Sequence, residues 1–358
     1  MNEKSRSPAK RGAATIADVA KRAGVSPMTV SRVVNGEANV REATRMKVSA
    51  AIAELSYMPN QAARRLAGSK LIRIAILYSN PSAAYLNELL VGALNRASLG
   101  HLQLVVQKCE EGIEEAKELI DNGIDGIILP PPLCDSRALL DLVAKTSTPA
   151  VAVASGAPDK RICAIGIDDY RAAFEMTQHL VALGHHRLGF ITGHPNQTAS
   201  ARRLAGFRAA MKESGLQLPD SLVAQGMFNY RSGLDAAEVL LRNETRPTAI
   251  FASNDDMAAA TVAIAHRMGL DVPGDLTVAG FDDAALATTI WPELTTVRQP
   301  IFDMAGAAVD LLVRQIRAQR DGVAEKCEHV VMDFSLIRRQ SDAAPRLRPP
   351  VAVIASRA

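Results

Sequence analysis

From Ile72 onward the sequence alternates short apolar runs with longer amphipathic stretches, and this alternation constrains the fold more than any other feature. The runs "IRIAILYS", "LQLVVQK", "DGIILP", "AVAVAS", "CAIGI", "RLGFITG", "TAIFASN" and "LTVAGFDD" have the length and β-branched content of strands. Between them, Tyr85 to Leu99, Tyr170 to Leu183 and Ser200 to Ser214 carry helical spacing. Strand–helix–strand repetition implies parallel sheets covered on both faces. Residues 71–340 are long for one such sheet, and a strand-rich joint near "CAIGIDD" predicts two similar α/β halves. Ligands of open α/β sheets bind beyond the carboxyl ends of strands. Asp168, Asn254, Asp255, Asp282 and Asp283 end such runs and are the first candidates.

The first 70 residues have another texture. Thr15 supplies an N-cap with Asp18 three residues on, Ile16, Val19 and Ala20 form an apolar face, and Gly24 offers a left-handed stop. Only Gly24, Val25 and Ser26 separate this helix from the next, "PMTVSRVVN". There Ser26 is an N-cap, Pro27 suits the first helical position, and Val30, Val33 and Val34 fall at i, i+3 and i+4. Two short helices joined by a tight Gly-containing turn are the helix-turn-helix signature. A third helix over about 41–56 carries Val48, Ile52 and Leu55 on one face and closes a small core. Met28, Thr29 and Arg32 point away from the buried valines, toward something outside the domain. The spacing therefore predicts a disordered basic tail over 1–13, a headpiece over 14–59 and a linker over 60–70. "NQAARRLAGSK" in that linker leans toward helix but is too short to hold one alone in water. Residues 341–358 are expected to be a second disordered tail.

Charge separates the two regions. Residues 1–70 hold 13 Lys/Arg against 5 Asp/Glu, a balance of +8, whereas the rest carries −5 and the whole chain +3. Such asymmetry implies that the N-terminal end meets a polyanion. A merely soluble basic tail is the alternative, and the helical patterning inside the segment argues against it. Cys109, Cys134, Cys163 and Cys327 show no C-x-x-C pair or metal-ligand spacing and read as reduced, mostly buried thiols. No apolar run approaches the roughly 18 residues of a membrane span. "MNEKSRSPAKRGAAT" has no apolar stretch of the signal-peptide kind, so a cytoplasmic protein is expected. Walker A, G-x-S-x-G and H-E-x-x-H motifs are absent, and "ALGHHRLG" and "GHPNQTAS" lack phosphate-loop spacing, which argues against an enzyme.

In order along the chain, "TIADVAKRAGVSPMTVSRVVNG", "ELSYMPNQAARRLAG", "HLVALGHHRLGFITG", "ARRLAGFRAAM", "IFASNDDMA", "VAGFDD" and "PELTTVRQP" resemble the lactose/galactose repressor (LacI/GalR) family of bacterial transcription factors. The resemblance spans about residues 14–339. It implies an all-α helix-turn-helix DNA-binding headpiece followed by an α/β periplasmic-binding-protein-like core of two parallel-sheet subdomains. The first subdomain would take about 71–169 and 298–328, the second about 170–297 and 329–340. The family's second helix lies in the major groove, which would bring Pro27, Met28 and Arg32 to base edges and Thr15, Ser26, Thr29, Ser31 and Asn35 to phosphates. The linker resembles the family's hinge helix, which orders when two subunits meet on the operator. Leu66 would be its minor-groove wedge, with Asn60, Ala63 and Arg64 beside it and Ala62 and Ala63 small enough for two helices to pack. One departure is Arg41, where family members usually have a serine capping the third helix.

The resemblance also implies an effector site. By motif position Asp168, Arg203, Asn254 and Asp282 would bind hydroxyls, and Phe228 would stack on a flat face, a set that suits a sugar. Tyr85 sits where purine-binding relatives sandwich a base, and Leu86 removes half of that sandwich. The loops "YSNPSAAY" and "GHPNQTAS" would supply the residues that discriminate among sugars. His185 and His186 are expected to close a helix-to-strand turn, with no metal and no cofactor bound. The C-terminal "RQSDAAPRLRPPVAVIASRA" has no leucine heptad for a tetramer seam. The function expected is a homodimeric, nucleoid-associated repressor, released from palindromic double-stranded operator DNA by a sugar. A purine or sugar phosphate, acting as co-repressor, is the alternative.

Overall fold

Thr15 and Asp18 cap the first helix reciprocally: the Asp18 amide donates to Thr15 Oγ1 at 3.3 Å, and the Thr15 amide donates to Asp18 Oδ2 at 2.8 Å. The structure, a computed structural model, describes residues 15–34, 40–55, 71–109, 113–323 and 326–346, and the chain divides into two units between Leu71 and Ile72. In the first unit α1 (Ile16–Ala23) ends at Gly24 with a left-handed φ of 67°. Ser26 precedes α2 (Pro27–Val34), and its Oγ accepts from the Thr29 amide at 3.1 Å. Helix α3 (Glu42–Glu54) starts after Arg41, which makes no side-chain cap bond. Val19, Val30 and Val48 are fully buried and form the core with Ala20 and Ala51, while Val33, Ile52 and Leu55 cover it in part. Ile16 was expected in this core but is 36% exposed. The core of three short helices does not reach the first turn of α1. Removing the cap with Thr15→Ala is expected to cost about 1 kcal/mol, read as roughly fivefold faster amide exchange in α1 of the full chain.

The described residues of the second unit form two six-stranded sheets. The first comprises β1 (Arg73–Tyr78), β2 (Gln103–Lys108), β3 (Gly126–Leu129), β4 (Ala150–Val153), β5 (Cys163–Gly166) and β11 (His329–Val331), in the order β11-β5-β4-β3-β1-β2. The second comprises β6 (Leu188–Thr192), β7 (Val223–Gln225), β8 (Ala249–Ala252), β9 (Thr277–Asp282), β10 (Thr295–Arg298) and β12 (Ser335–Ile337), in the order β12-β10-β9-β8-β6-β7. All pairings are parallel except β12 on β10. Central strands such as β3, β4 and β8 are buried along their whole length, which is why they read as unbroken apolar runs.

Helices cover both faces of each sheet. On the first, α4 (Ala83–Leu99) and the long helix Ile301–Arg320 pack on one side, and α5 (Ile113–Asp121) and α6 (Arg137–Thr146) on the other. On the second, α7 (Asp169–Ala182) and α8 (Thr198–Glu213) cover one face, and α9 (Tyr230–Leu241) and α10 (Asp255–Arg267) the other. Phe190 of β6, Phe207 of α8 and Phe251 of β8 form an aromatic cluster with centroids 4.7 and 5.4 Å from Phe190. A short helix α11 (Leu286–Thr289) and the helix Ile301–Arg320, hereafter α12, are the remaining helices among the described residues.

The chain crosses between the halves after β5, after β10 and after β11. The last crossing corrects the expected boundary. Residues 329–331 pair with β5, His329 opposite Ala164 and Val331 opposite Gly166, and so belong to the first sheet rather than the second. β11 is an exposed edge strand, and nothing local in "HVVMDFSLI" says which sheet supplies its partner. The expected C-terminal tail is corrected as well, because it begins as structure. Ser341 Oγ donates to the Val278 carbonyl at 2.6 Å, and buried Asp342 meets His179 Nε2 at 2.5 Å.

Candidate functional site

Two surfaces need chemistry to explain them. On the headpiece, burying Val30 turns the opposite side of α2 outward: Met28 is 64% exposed, with Pro27 and Arg32 also exposed beside it. An exposed methionine flanked by an arginine, at the start of a two-turn helix, offers one apolar and one bidentate contact to a groove. Ser26 and Thr29 bond each other at 2.9 Å while fixing the start of α2. Asn35, Asn60, Ala63, Arg64 and Leu66 lie outside the described residues.

The second surface is a cleft between the two sheets. Tyr85 of α4, Arg203 of α8, Phe228, Asn254 and Asp282 all line it. The sequence reading did not include Asn80, Ser82, Gln197 and Gln299, which line it too. The first three come from loops already expected to contribute, whereas Gln299 follows the short β10, which no periodicity marks. Arg203 is 4% exposed and fully engaged: Nε donates to Asp169 Oδ1 at 2.7 Å, an Nη donates to the Ser253 carbonyl at 2.6 Å, and the guanidinium lies 3.6 Å from the Phe281 ring centroid. Asp282 ends β9 with φ of 112° and accepts from Gln299 Nε2 at 2.6 Å, 3.8 Å from Arg203. A non-glycine residue at such a φ is strained, as site residues often are. Phe228 also has a positive φ, 57°, and its ring lies so close to Gly193 that a Cβ there would come within 1.9 Å of it. Asn254 caps α10 through the Met257 amide and donates to the Phe228 carbonyl at 3.1 Å.

One guanidinium serves several buried carboxylates. Burial pushes Asp282 up to about 7, against the lowering effect of Arg203 and the Gln299 bond. Burial likewise raises Asp169, Asp256 and, well above the usual range, Asp255, the last also repelled by Asp282. Two buried oxygens in the cleft, Tyr85 Oη and Gln299 Oε1, have no hydrogen-bond partner among the described residues. A buried polar atom without a partner costs about 1–3 kcal/mol, so a ligand that bonds to it recovers that cost. The cleft therefore presents a hydroxyl, an amide oxygen and a carboxylate around an aromatic ring. Its free volume is about 30 Å³, far below the roughly 300–1,000 Å³ of small-molecule sites, so a ligand must widen it.

Asp168 departs from expectation. Its side chain caps α7 by accepting from the Arg171 amide at 3.1 Å and does not line the cleft; the neighbouring Asp169 is the acid turned inward to Arg203. Asp255 accepts from Thr296 Oγ1 at 2.7 Å, and Asp283 pairs with Arg298 and Arg339, so both are structural. His185 bridges Thr248 Oγ1 and the Ala343 carbonyl, each at 2.9 Å. Among the described residues no group of His, Cys, Asp or Glu is arranged to hold a metal ion, and no helix is long and apolar enough to cross a membrane.

Comparison with known proteins agrees with this two-part design. Residues 15–60 match the bacterial regulatory proteins of the lacI family, and residues 177–341 match a periplasmic binding protein-like domain. The catabolite control protein A of Priestia megaterium is 35% identical over 310 residues, 85% of this chain and 93% of its own length. The ribose operon repressor of Escherichia coli (strain K12) is 34% identical over 311 residues, with the same coverage of each chain. Among solved structures, the lac repressor dimer bound to operator and the anti-inducer ONPF superposes with a TM-score of 0.74 at 28% identity, covering 92% of this chain and 99% of that one.

Proposed function

Because the chain belongs to the lacI family of bacterial regulatory proteins and is a DNA-binding transcriptional repressor, not an enzyme, we propose that it acts as a homodimer released from a palindromic operator by a sugar bound in the cleft. The carrying observation is the cleft wall itself. Asp282 accepts from Gln299 and pairs with Arg203 beside the Phe228 ring, with the oxygens Tyr85 Oη and Gln299 Oε1 left over for a ligand. A sugar offers hydroxyls to those oxygens and an apolar C–H face to the ring. The relative at 34% identity is a repressor of a sugar operon, that for ribose, which supports a sugar as the signal.

On the DNA side, Pro27, Met28 and Arg32 meet base edges, and Thr15, Ser26, Thr29, Ser31 and Asn35 meet phosphates. Asn60, Ala63, Arg64 and Leu66 form the hinge contact to the minor groove. Two such headpieces on one dimer read two half-sites. A sugar that requires a wider cleft favours one arrangement of the halves. A preference of about 1–3 kcal/mol is enough for regulation.

A thermal-shift screen of the purified chain against pentoses, hexoses, disaccharides, sugar phosphates and purines tests this, since a ligand of the folded state raises Tm. The expected result is a sugar hit that is lost in Gln299→Ala and that releases operator DNA. A purine or sugar-phosphate hit that tightens operator binding would replace induction by co-repression.

A further inference from the structure

The N-terminus of α8 has no cap of its own. Gln197 stands in the N-cap position without a side-chain bond, although the first amides of a helix need acceptors. The acceptor comes from the other half of the unit. Asp135, which closes a short 3-10 turn after β3, takes the Thr198 amide on Oδ2 at 2.8 Å. Thr198 Oγ1 also donates to this carboxylate, at 2.9 and 3.0 Å, and accepts from the Gly156 amide at 2.8 Å and the Ala157 amide at 3.1 Å. Ser155 Oγ donates to Asp135 Oδ1 at 2.6 Å. The backbones touch at this seam: a Cβ on Gly156 would lie 2.7 Å from Ala199 N and 2.8 Å from its Cα. The same first turns of α8 carry Gln197, Ala199 and Arg203 to the cleft, whereas Asp135, Gly156 and Thr198 do not line it.

We propose that Asp135, Thr198 and Gly156 form a latch that holds the cleft closed and positions α8, so that it sets how readily the cleft admits its ligand. An anion at a helix N-terminus is favourable on two counts, through the amides it accepts and through the helix dipole. Both are available only while the halves are together. With so little free volume in the closed cleft, every ligand that enters must give up this seam. A weaker latch therefore raises the fraction of molecules competent to bind and tightens apparent affinity by the same factor. Asp135 is a positioning residue: it acts through α8 and touches no ligand. The consequence for affinity rests on the cleft being the effector site, whereas the latch itself is tested without any ligand.

The experiment is amide exchange by mass spectrometry on the full chain, free of ligand, comparing wild type with Asp135→Asn, Thr198→Val and Gly156→Ala. Asp141→Asn, at an exposed ion pair with Arg161 in the same half, is the control. Two reporter amides sit on opposite cleft walls away from the seam: Tyr85, capped by Ser82 Oγ, and Met257, capped by Asn254. Ser82 also donates across the cleft to Asp256 at 2.5 Å, so opening frees that wall too. The expected result is at least tenfold faster exchange at both reporters in all three seam variants, unchanged exchange in β3 and β8, and wild-type behaviour in the control and in Thr198→Ser, which keeps the hydroxyl. Gly156→Ala removes no polar group and reaches the same state by wedging. Acceleration confined to 198–201 means a local cap only and overturns the latch. Acceleration throughout β3 and β8 in all three variants means that the seam is needed for folding, and overturns it equally. A thermal-shift screen without a sugar hit would sink the effector reading and leave this exchange pattern untouched.

Discussion

Arg203→Ala loses about 3–5 kcal/mol of stability and melts roughly ten degrees below the wild type at pH 8. The guanidinium is the cation that Asp169 and Asp282 share in a buried site, at 2.7 and 3.8 Å. Its removal leaves charge buried without compensation, and it also removes the cation lying against the Phe281 ring. The deficit depends on pH, and the sign follows from Asp282. Its folded-state pKa is raised to about 7, against about 3.9 in an unfolded chain. The stability associated with its protonated form is therefore fully present below about 4 and is lost as pH rises through 7. Without Arg203 the acids hold their protons more tightly still, so the variant recovers much of its loss at pH 5, where a neutral carboxyl needs no cation. Denaturant melts of both proteins at pH 5 and pH 8 check this. An equal deficit at both values would mean that Arg203 matters for packing alone. In the wild-type background Asp282→Asn should flatten the fall in stability between pH 4 and 7.

Arg32→Ala weakens binding to a selected operator by about 1–3 kcal/mol, roughly five- to 160-fold, while leaving binding to random duplex within a few-fold. The operator is obtained by selection from a random pool with the full chain, and affinities are read by fluorescence anisotropy over a range of salt. A base-reading arginine lowers the ratio of specific to non-specific affinity and relaxes the preference at one position of the half-site. A phosphate-binding arginine instead weakens every sequence alike and lowers the salt slope by about one, and that outcome would remove Arg32 from the set of base-reading residues. Met28→Ala provides the comparison. Its exposed side chain offers only apolar contact, so the loss should be smaller and confined to sites that place a thymine methyl beneath it.

Much of the fold was legible because the forces that set it act over a few residues. Thr15 and Ser26 cap helices within three positions of themselves, so side-chain type and spacing located those helix starts. Strands buried on both faces must be continuous apolar runs, and β1, β3, β4, β6, β8 and β9 stood out on that ground. The strands that went unread were β7, β10, β11 and β12, each only three or four residues long. No period can be measured over such a length, and their pairing is decided by partners far away in sequence. Gln299 was hidden for the same reason, since its role follows from where β10 ends beside Asp282.

The sequence by itself determined the two-part design, the basic three-helix headpiece and the alternating α/β region, and picked out Asn254 and Asp282 as strand-end residues, while the family resemblance added Tyr85, Arg203 and Phe228 to the same cleft. Period, caps and charge are local properties, and the strand-end rule adds to them only the residues that end strands, of which Asn254 and Asp282 line the cleft. Only the tertiary structure decided which of two adjacent acids faces inward, Asp169 rather than Asp168. It alone placed β11 in the first sheet and closed the cleft to about 30 Å³. It also brought Asp135 to a helix that begins 63 residues later. Each of these depends on a contact between distant segments, whose geometry is fixed by how two sheets and their helices pack and leaves no period in the chain.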